Sequence, residues 1–554
     1  MGGKYYGSYT LLIPTELRHG RDVAPHKRKT KYHVLPCGAP SGKPEGGTKL
    51  DILNNFNNLM MGLSVAMQPY NLMIAVIGLI LGIIVGVLPG LGGANGCAIL
   101  IPITFAMPPT AAVILLACVY WGALYGGSIC SILFNIPGEP WAVAVTFDGY
   151  PMAKSGRAGK ALVLSSLSHG VGAVIGVFLL TFFAPIIAEF ALKFGPPETA
   201  AVMILTFSAM TRLGGKSVLK SLVAIFLGFI LAAVGMDIVS GKLRMTYGTV
   251  PLMGGFSFIV AVIGLFGIGE MFLTVEEGLK MEGIKARVRL KDVWDALREM
   301  VRYRKILMMG SLIGCWLGIQ PGGATPASFM AYGFAKSSAA DKDQYGKGAS
   351  SGIIAPEAAG HGAGTSATLP MITLGIPGSP TMAVIMGGLM IWGLQPGPML
   401  FKEHADFVWG LIGSIWVANF VGLFLVLAFV PLFAAILRIK FSILMPVIIY
   451  VCAIGAYAVN NRMIDIYYMI IFGIVGFLFK KLDYPIAPMV LALVLGNMAE
   501  TAVRQALIMG RGNPIIFFRP PIALPLVMLA LFLFFLPTLS KWKQRLSAKK
   551  ETKS

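Results

Sequence analysis

Long runs of sequence without a charged residue constrain this chain most strongly. Between residues 52 and 138 there is no Asp, Glu, Lys or Arg. Further uncharged runs cover residues 306–335, 358–401, 407–437, 441–461 and 520–540. Because about 20 apolar residues in a helix cross a bilayer, these runs predict many membrane spans.

The composition excludes the other broad classes of protein. Charged residues make up 13% and apolar residues 56% of the 554 residues, whereas soluble domains carry about 25% charged residues. This balance excludes a soluble enzyme and a disordered chain. The runs are also too uniformly apolar for the alternating strands of an outer-membrane barrel. We therefore predict an all-α polytopic membrane protein.

The formal charge of +20 would suggest a nucleic-acid partner in a soluble domain. Here the basic residues lie between and outside the apolar runs, as the positive-inside rule predicts, so we expect no nucleic-acid partner. By the same rule we place residues 154–160, 212–220, 276–305 and 541–554 in the cytoplasm.

The first 50 residues differ from the rest of the chain. They carry nine Lys and Arg, three Asp and Glu, and no apolar stretch typical of a signal peptide. Two interpretations stay open: a disordered basic tail that touches anionic lipid, or an extension ahead of a native start near Leu50.

The apolar runs predict about 10–13 transmembrane segments. We place them at residues 70–88, 110–133, 162–184, 198–212, 217–236, 251–273, 306–320, 351–374, 408–437, 441–459, 464–479, 485–502 and 521–538. Stretches rich in Gly and Pro separate some of them, at residues 89–107, 135–150, 321–335 and 375–398. Irregular backbone at membrane depth is tolerated only inside the protein or along a wet cavity. We therefore expect broken or re-entrant helices there.

Two motifs occur twice, in the same order. Residues 86–90, Gly-Val-Leu-Pro-Gly, return as Gly-Ile-Gln-Pro-Gly at 318–322, and Asn-Ile-Pro-Gly-Glu-Pro at 135–140 returns as Gly-Ile-Pro-Gly-Ser-Pro at 375–380. The offsets are 232 and 240 residues. This predicts two repeated halves, residues 51–275 and 306–540, separated by the basic linker 276–305 and followed by the tail 541–554.

Paired Gly/Pro interruptions in matching halves are the best sequence indication of a secondary transporter's binding site. Proline breaks the helix and glycine permits unusual backbone. The break leaves N–H groups and a positive dipole end that suit an anion, whereas the opposite end offers carbonyl groups for Na⁺. Glycines spaced by four, such as Gly78, Gly82 and Gly86, are instead typical of close helix packing.

At these motifs the chain resembles the large membrane subunit of the tripartite tricarboxylate transporters, the TctA family. The resemblance covers residues 51 to about 540. The motifs that carry it are Gly-Val-Leu-Pro-Gly-Leu-Gly (86–92), Tyr-Gly-Gly-Ser (125–128), Asn-Ile-Pro-Gly-Glu (135–139), Asp-Gly-Tyr-Pro-Met-Ala-Lys (148–154), Tyr-Gly-Lys-Gly (345–348), Ala-Pro-Glu-Ala-Ala (355–359) and Leu-Gly-Ile-Pro-Gly-Ser (374–379).

The resemblance implies a multi-pass importer of the bacterial inner membrane with inverted repeats and re-entrant hairpins. It implies two partners, a small membrane subunit of four spans and a periplasmic solute-binding protein. It also implies citrate or another small carboxylate as substrate and an ion gradient, of Na⁺ or H⁺, as the driving force. This chain departs from the family at Gly93, where members often have Pro, and at Gly360 and His361, where they often have two Asn.

Candidate substrate and ion ligands lie in the breaks and on the hydroxyl-bearing segments beside them. A charged side chain at the bilayer centre is costly, so backbone N–H groups and hydroxyls are favoured there. Any single Ser or Thr could instead bond a carbonyl one turn back. The candidates are Pro89, Gly90, Gly92, Asn95, Ser128, Asn135, Pro137, Gly138, Glu139, Pro321, Gly322, Thr325, Glu357, His361, Thr365, Ser366, Pro377, Gly378 and Ser379.

Three of these candidates are ionisable. Glu357 follows Pro356, so we expect it in the first turn of a helix, as a cation or proton site or as a favourable first-turn carboxylate. His361, four residues on, could donate to substrate, pair with Glu357 or be structural. Glu139 stands where the second half has Ser379, so one half could favour a cation and the other an anion.

The sequence favours a transporter over other functions. Two readings of the transporter stay open, a subunit that depends on a binding protein and a standalone carrier of carboxylates. An intramembrane enzyme lacks its motifs, since there is no HExxH and no matched partner for His169 or His361. The six cysteines are scattered without a CxxC, which indicates no metal or disulfide role. A channel lacks a filter signature.

Overall fold

The computed structural model describes residues 52–88, 91–213, 217–237, 240–277, 284, 287–339, 342–436, 441–518, 521–532 and 534. The tail, with the start proposed near Leu50, lies outside these residues. So do Pro89 and Gly90 of the first motif and the basic segment 541–554.

The described residues form helices and one two-stranded hairpin. The helices of the first half are α1 (Ile52–Ala66), α2 (Pro69–Val87), α3 (Gly92–Thr104), α4 (Pro109–Phe134), α5 (Val143–Met152), α6 (Ala158–Ala191), α7 (Pro196–Leu213), α8 (Val218–Ala232), α9 (Val250–Met253), α10 (Phe258–Val262) and α11 (Gly269–Glu277). Strands β1 (Gly235–Met236) and β2 (Leu243–Arg244) pair antiparallel between α8 and α9.

The later helices are α12 (Leu290–Arg302), α13 (Arg304–Gly318), α14 (Ala324–Ser338), α15 (Ser350–Ser366), α16 (Thr368–Leu374), α17 (Pro380–Ile391), α18 (Pro398–Glu403), α19 (Ala405–Ile436), α20 (Phe441–Asn460), α21 (Met463–Lys481), α22 (Ile486–Met509) and α23 (Ala523–Phe532). Single turns of 3-10 helix occur at Pro140–Ala142, Lys342–Gln344 and Pro514–Phe518, and π-helical turns at Ala153–Arg157 and Ile263–Ile268.

The all-α membrane fold is confirmed. Within the described residues, seven helical segments are long and apolar enough to cross a membrane, and five shorter helices are apolar as well. The Gly/Pro stretches are more ordered than expected. Two of them, residues 89–107 and 321–335, contain the helices α3 and α14, and the chain resumes as helix soon after the breaks at 135–139 and 375–379.

Matching glycine contacts relate the two halves. On α2, a Cβ at Gly78, Gly82 or Gly86 would collide with the backbone of α4 at Leu115, Val119 and Ala123 respectively. On α13, Gly310, Gly314 and Gly318 meet α15 at Ala355, Ala359 and Ala363 in the same way. The glycines are 232 residues apart and their partners 240 residues apart, the same offsets as the sequence motifs. The packing role expected for the first three glycines is therefore what the structure shows.

The two halves are inverted relative to each other. Residue numbers rise together along α2 and α4, and along α13 and α15, so each pair is parallel. Between α4 and α15 the order reverses, because Ser128 lies beside Glu357 whereas Tyr120 lies beside Gly364. Equivalent helices of the two halves thus run antiparallel. This agrees with the inverted repeats that the family resemblance implied.

Polar contacts connect segments that we placed in the cytoplasm with one another and with the C-terminal end of α21. Lys160 pairs with Glu299 of α12 at 3.2 Å, and Lys481 pairs with Glu276 at 2.5 Å. The Lys220 ammonium donates to the backbone carbonyl of Leu482. Residues from the segments at 154–160 and 276–305 therefore lie close together, as a shared membrane face requires.

One local prediction is wrong. Glu357 does not lie in the first turn of a helix, because α15 begins at Ser350 and continues through Pro356. Burial explains how the helix tolerates this proline, since every residue from Ser351 to Ser366 is buried among neighbouring helices. Packing therefore outweighs the backbone hydrogen bond that proline removes.

Candidate functional site

At the first helix break, residues between α4 and α5 contact α2, α4 and the start of α3. Helix α4 ends at Asn135, which adopts a left-handed backbone with φ of 59°. Gly138 then packs so closely on Gly127 and on the carbonyl of Gly86 that a Cβ would lie 2.5 Å from the Gly127 Cα. The next residue, Glu139, accepts a hydrogen bond of 2.6 Å from the backbone N–H of Gly93, in the first turn of α3. The N-terminus of α3 therefore already holds a carboxylate, next to Gly92.

The second break repeats this arrangement with neutral groups. Helix α16 ends at Gly375, with φ of 70°, 240 residues after Asn135. Gly378 packs on Ala367, and its carbonyl accepts a 2.9 Å hydrogen bond from the N–H of Gly322. Ser379 caps α17 by accepting from the N–H of Met382. The N-terminus of α17 thus begins at a break, as the Pro-Gly pattern indicated.

Tyr120 on α4 connects the first break with the second half. The Tyr120 ring lies against Gly93, where a Cβ would be 3.1 Å from it. Its hydroxyl lies 3.4 Å from the carbonyl oxygen of Gly364 on α15. No motif identified Tyr120, because its partners come from both halves and lie far away in sequence.

A second group of polar side chains is buried between α4, α6 and α15. The Glu357 carboxylate accepts hydrogen bonds from Ser165, at 2.8 Å, and from Ser128, at 3.1 Å. The Nδ1 atom of His361 lies 2.9 Å from the Glu357 backbone oxygen and 3.3 Å from its carboxylate. Glu357 and His361 are both 0% exposed. The structure therefore places three predicted residues, Ser128, Glu357 and His361, in one cluster.

Aromatic rings enclose this cluster. The ring of His169 from α6 stacks between Tyr125 and His361, with centroid distances of 3.3 and 3.2 Å. The indole of Trp141 meets His361 edge-on at 4.5 Å. A Cβ at Gly360 would collide with the Trp141 ring. Gly360 therefore makes room for Trp141, and His361 supplies the second histidine.

The other predicted residues lie around these two groups. Thr365 is buried one turn beyond His361, and Ser366 bonds the carbonyl of Ala363 one turn back, at 3.3 Å. Asn95 is buried in α3. Pro321, Gly322 and Thr325 are half-buried before and within the first turn of α14. Pro137 is exposed, whereas Pro377 and Gly378 are buried.

Hydrogen bonds also explain two family motifs that carried no assigned role. Asp148, in the motif at 148–154, is 0% exposed. One of its oxygens accepts from the N–H groups of Gly346, Gly348 and Ala349 at 2.8–2.9 Å, and the other accepts from Tyr332. The motifs at 148–154 and 345–348 therefore form one contact, which holds the start of α15 against α5.

Sequence reasoning missed four residues of these sites: Tyr120, Ser165, His169 and Asp148. His169 carried a signal, because a histidine in an uncharged run is rare and needs a partner. Its spacing to Ser165 and Gly172 places all three on one helical face. The partner helix, α15, could not be identified from that spacing.

Comparisons with known proteins agree with the architecture. The family profile described as "Tripartite tricarboxylate transporter TctA family" matches residues 72–491. A relative from Agrobacterium vitis, described as an uncharacterized 52.8 kDa protein in the TAR-I ttuC' 3' region, is 36% identical over 482 residues, which cover 87% of this chain and 95% of the relative. A second protein of that organism, described as lying in the TAR-II ttuC' 3' region, is 36% identical over 219 residues, 39% of this chain and 90% of its own length. No solved structure matches significantly.

Proposed function

Since this chain belongs to the TctA family of tripartite tricarboxylate transporters, we propose that it is the large translocation subunit of an importer for tricarboxylates or related dicarboxylates. It works with a periplasmic solute-binding protein and a small membrane subunit of four spans in the bacterial inner membrane. A gradient of Na⁺ or H⁺ drives uptake, and the chain itself catalyses no reaction.

The pair of helix breaks is the observation that carries this proposal. The first break separates the end of α4 at Phe134 from a 3-10 turn at Pro140, and the second separates the end of α16 at Leu374 from the start of α17 at Pro380. At the first break the Glu139 carboxylate accepts from the backbone N–H of Gly93, and at the second the Gly378 carbonyl accepts from the backbone N–H of Gly322. Helix N-termini in such breaks bind anionic groups through free N–H groups and the helix dipole. A small carboxylate is the ligand that this chemistry fits.

Glu139 sets a condition on how substrate binds. Its carboxylate occupies the N–H of Gly93, so a substrate carboxylate must displace it or bind beside it. The second break has Ser379 instead, whose neutral hydroxyl does not repel an anion, although it accepts from the N–H of Met382. We propose that substrate enters between the halves, binds first at the break around Gly378 and Ser379, and reaches the break around Gly138 as the halves move.

The breaks are tested by removing them. In the double variants Pro137→Ala/Gly138→Ala and Pro377→Ala/Gly378→Ala, a Cβ at residue 138 or 378 meets neighbouring backbone. Without the proline, the backbone N–H groups at the break can bond within a helix instead of facing a ligand. We expect each variant to insert normally and to lose uptake of labelled citrate, malate and succinate in membrane vesicles. The control Gly333→Ala lies on α14 with open space around it and should transport normally. Normal uptake by both double variants would refute the site.

The dependence on partners is tested in the same vesicles. Uptake should require the purified binding protein as well as an imposed ion gradient. Uptake that is indifferent to the binding protein would establish a standalone carrier instead.

A further inference from the structure

We propose that the buried cluster of His169, Glu357 and His361 binds the coupling ion and that this ion is a proton. The inference rests on the proposed function, since only an ion-driven transporter needs such a site. It narrows the driving force to H⁺ and excludes Na⁺.

The cluster has unused capacity to bind protons. Both ring nitrogens of His169 and the Nε2 atom of His361 are buried and have no hydrogen-bond partner among the described residues. Buried polar atoms almost always have a partner, because leaving one unpaired costs about 1–3 kcal/mol. Because a neutral imidazole carries one N–H and one lone pair, each ring can accept one further proton at this site.

The Glu357 carboxylate supplies the reason for a positive occupant. A buried carboxylate is costly unless a positive charge lies nearby. The two serine hydroxyls that bond it, Ser128 and Ser165, are neutral. Within hydrogen-bond reach in the described structure, the one group that can offset its charge is the imidazole of His361, with Nδ1 at 3.3 Å.

The donor set does not suit Na⁺. Hard cations are bound by oxygen ligands, and in transporters Na⁺ is coordinated by unwound backbone carbonyls. Here each carboxylate oxygen accepts one serine hydrogen bond and keeps a lone pair, but α15 is helical throughout Ser350–Ser366 and has no unwound turn that would supply backbone carbonyls. The unpaired atoms are nitrogens, with the Thr365 hydroxyl one turn away.

The ring geometry does not suit a transition metal either. Imidazole binds zinc, copper and nickel well, through a lone pair that lies in the plane of the ring. His169 and His361 are stacked face to face, at 3.2 Å and 29° between planes. One nitrogen of each ring and a Glu357 oxygen lie within 4.8 Å of one another. Lone pairs in the planes of two stacked rings do not converge on one ion, whereas either ring can accept one proton without moving.

Among the titratable groups in and around the cluster, we assign the exchange of the proton to the histidines. Titratable groups on the elements packed against α6 and α15 include Tyr120 and Tyr125 on α4, Asp148 on α5, Cys315 on α13, Tyr332 on α14, the Lys160–Glu299 pair with Asp292 at α12, and Lys402 and Glu403 of α18. Asp148 is held by four hydrogen bonds. Lys160 lies more than two helical turns before His169 on α6.

The cluster is connected directly to the first break. Ser128 follows Gly127, which packs against Gly138, and Trp141 follows the break and contacts His361. A charge gained or lost on the histidines therefore acts on both sides of that break. In the first half, 240 residues earlier, the positions of Glu357 and His361 hold Ala117 and Trp121, so the inverted repeat carries the site once.

Transport measurements test the coupling ion. Vesicles containing the chain with its partner proteins are given an acid-outside pH gradient without Na⁺, or a Na⁺ gradient at equal pH. We expect only the pH gradient to drive accumulation of labelled citrate, malate or succinate, because one pH unit is worth about tenfold per proton. Accumulation driven by Na⁺ alone would overturn the inference while leaving the proposed function standing.

Variants locate the proton. His169→Gln and His361→Gln should abolish accumulation by the pH gradient but keep exchange of labelled for unlabelled substrate, which needs binding and movement without a gradient. His404→Gln, an exposed histidine outside the cluster, should behave like the unsubstituted chain. Retained proton-driven accumulation in both cluster variants would overturn the assignment.

Fluorescence tests the site without transport. A protonated imidazole quenches a neighbouring indole, so acidification of the purified chain should quench Trp141. The quenching should be lost in His361→Gln and in Trp141→Phe but kept in His404→Gln. A pH response that is the same in all four proteins would overturn the inference. Failure of the unsubstituted chain to exchange any carboxylate would instead refute the proposed function.

Discussion

At the scale of residues, Asp148 joins the two halves through four hydrogen bonds. It lies on α5 of the first half, and its partners at residues 332 and 346–349 belong to the second. Because the carboxylate is fully buried, its charge is balanced by the backbone N–H groups at the start of α15. The residue therefore positions the helix that carries Glu357 and His361.

Asp148→Asn should lower the free energy of unfolding by about 2–3 kcal/mol, since hydrogen bonds to a charged group each contribute about 1.5–3 kcal/mol. The amide retains one acceptor but presents N–H donors toward other donors. Thermal unfolding in detergent measures the loss. Asp406→Asn, at an exposed first-turn position of α19, should change stability by less than about 1 kcal/mol. Equal melting temperatures for the two variants would contradict this role.

The cluster around Glu357 shows what sequence reasoning can and cannot reach. Glu357 and His361 could be paired because a separation of four residues places them on one helical face. Ser165 and Ser128 could not be added, because they are 192 and 229 residues from Glu357. No local periodicity encodes which buried helices become neighbours.

At the scale of elements, spans and breaks were predictable because each depends on local chemistry. Uniformly apolar runs locate α2, α4 and α19 to within three residues and α6 with its ends four and seven residues short, and the Pro-Gly pairs locate both breaks. The helices α3 and α14 were less evident. Their glycines lower helix propensity, and burial against the neighbouring helices overrides that preference.

The glycines that pack closely against a facing helix, on α2 and on α13, give a paired prediction. In Gly82→Ala and Gly314→Ala a new methyl group meets a backbone carbonyl on the facing helix, of Val119 and Ala359 respectively. Overpacking of this kind costs about 1–3 kcal/mol, so both variants should unfold at lower temperature by similar amounts.

Gly333→Ala is the matched control for these variants. Gly333 is also helical, on α14, but nothing lies within 4 Å of the added carbon. Alanine should there be neutral or stabilising by up to about 1 kcal/mol. If Gly82→Ala or Gly314→Ala unfolds at the same temperature as Gly333→Ala, the close approach of the two helices is wrong.

At the scale of the whole molecule, the inversion of the halves has a direct topological consequence. The hairpin α2–α3 and its equivalent α13–α14 must enter the membrane from opposite faces. Ala106, after α3, and Ser337, near the end of α14, are both exposed. A single cysteine can therefore be introduced at each.

A membrane-impermeant thiol reagent should label these two cysteines from opposite sides of sealed vesicles. The five described native cysteines are buried and free, so a background measured without the new cysteines should be low. Labelling of both positions from one side would contradict the inversion.

The two helix breaks differ in their surroundings although their backbones match. Asn135 and Pro137 are exposed, close to Leu133, whose carbonyl accepts from the N–H of Ile284 in the basic segment, whereas their equivalents Gly375 and Pro377 are buried. Gly138 and Gly378 are buried alike. The molecule is thus asymmetric in conformation while nearly symmetric in fold. For the importer that we propose, giving each half the packing that the other half now has would interchange the more exposed and the more buried break. The two conformations would then be the same structure with the roles of its two halves exchanged.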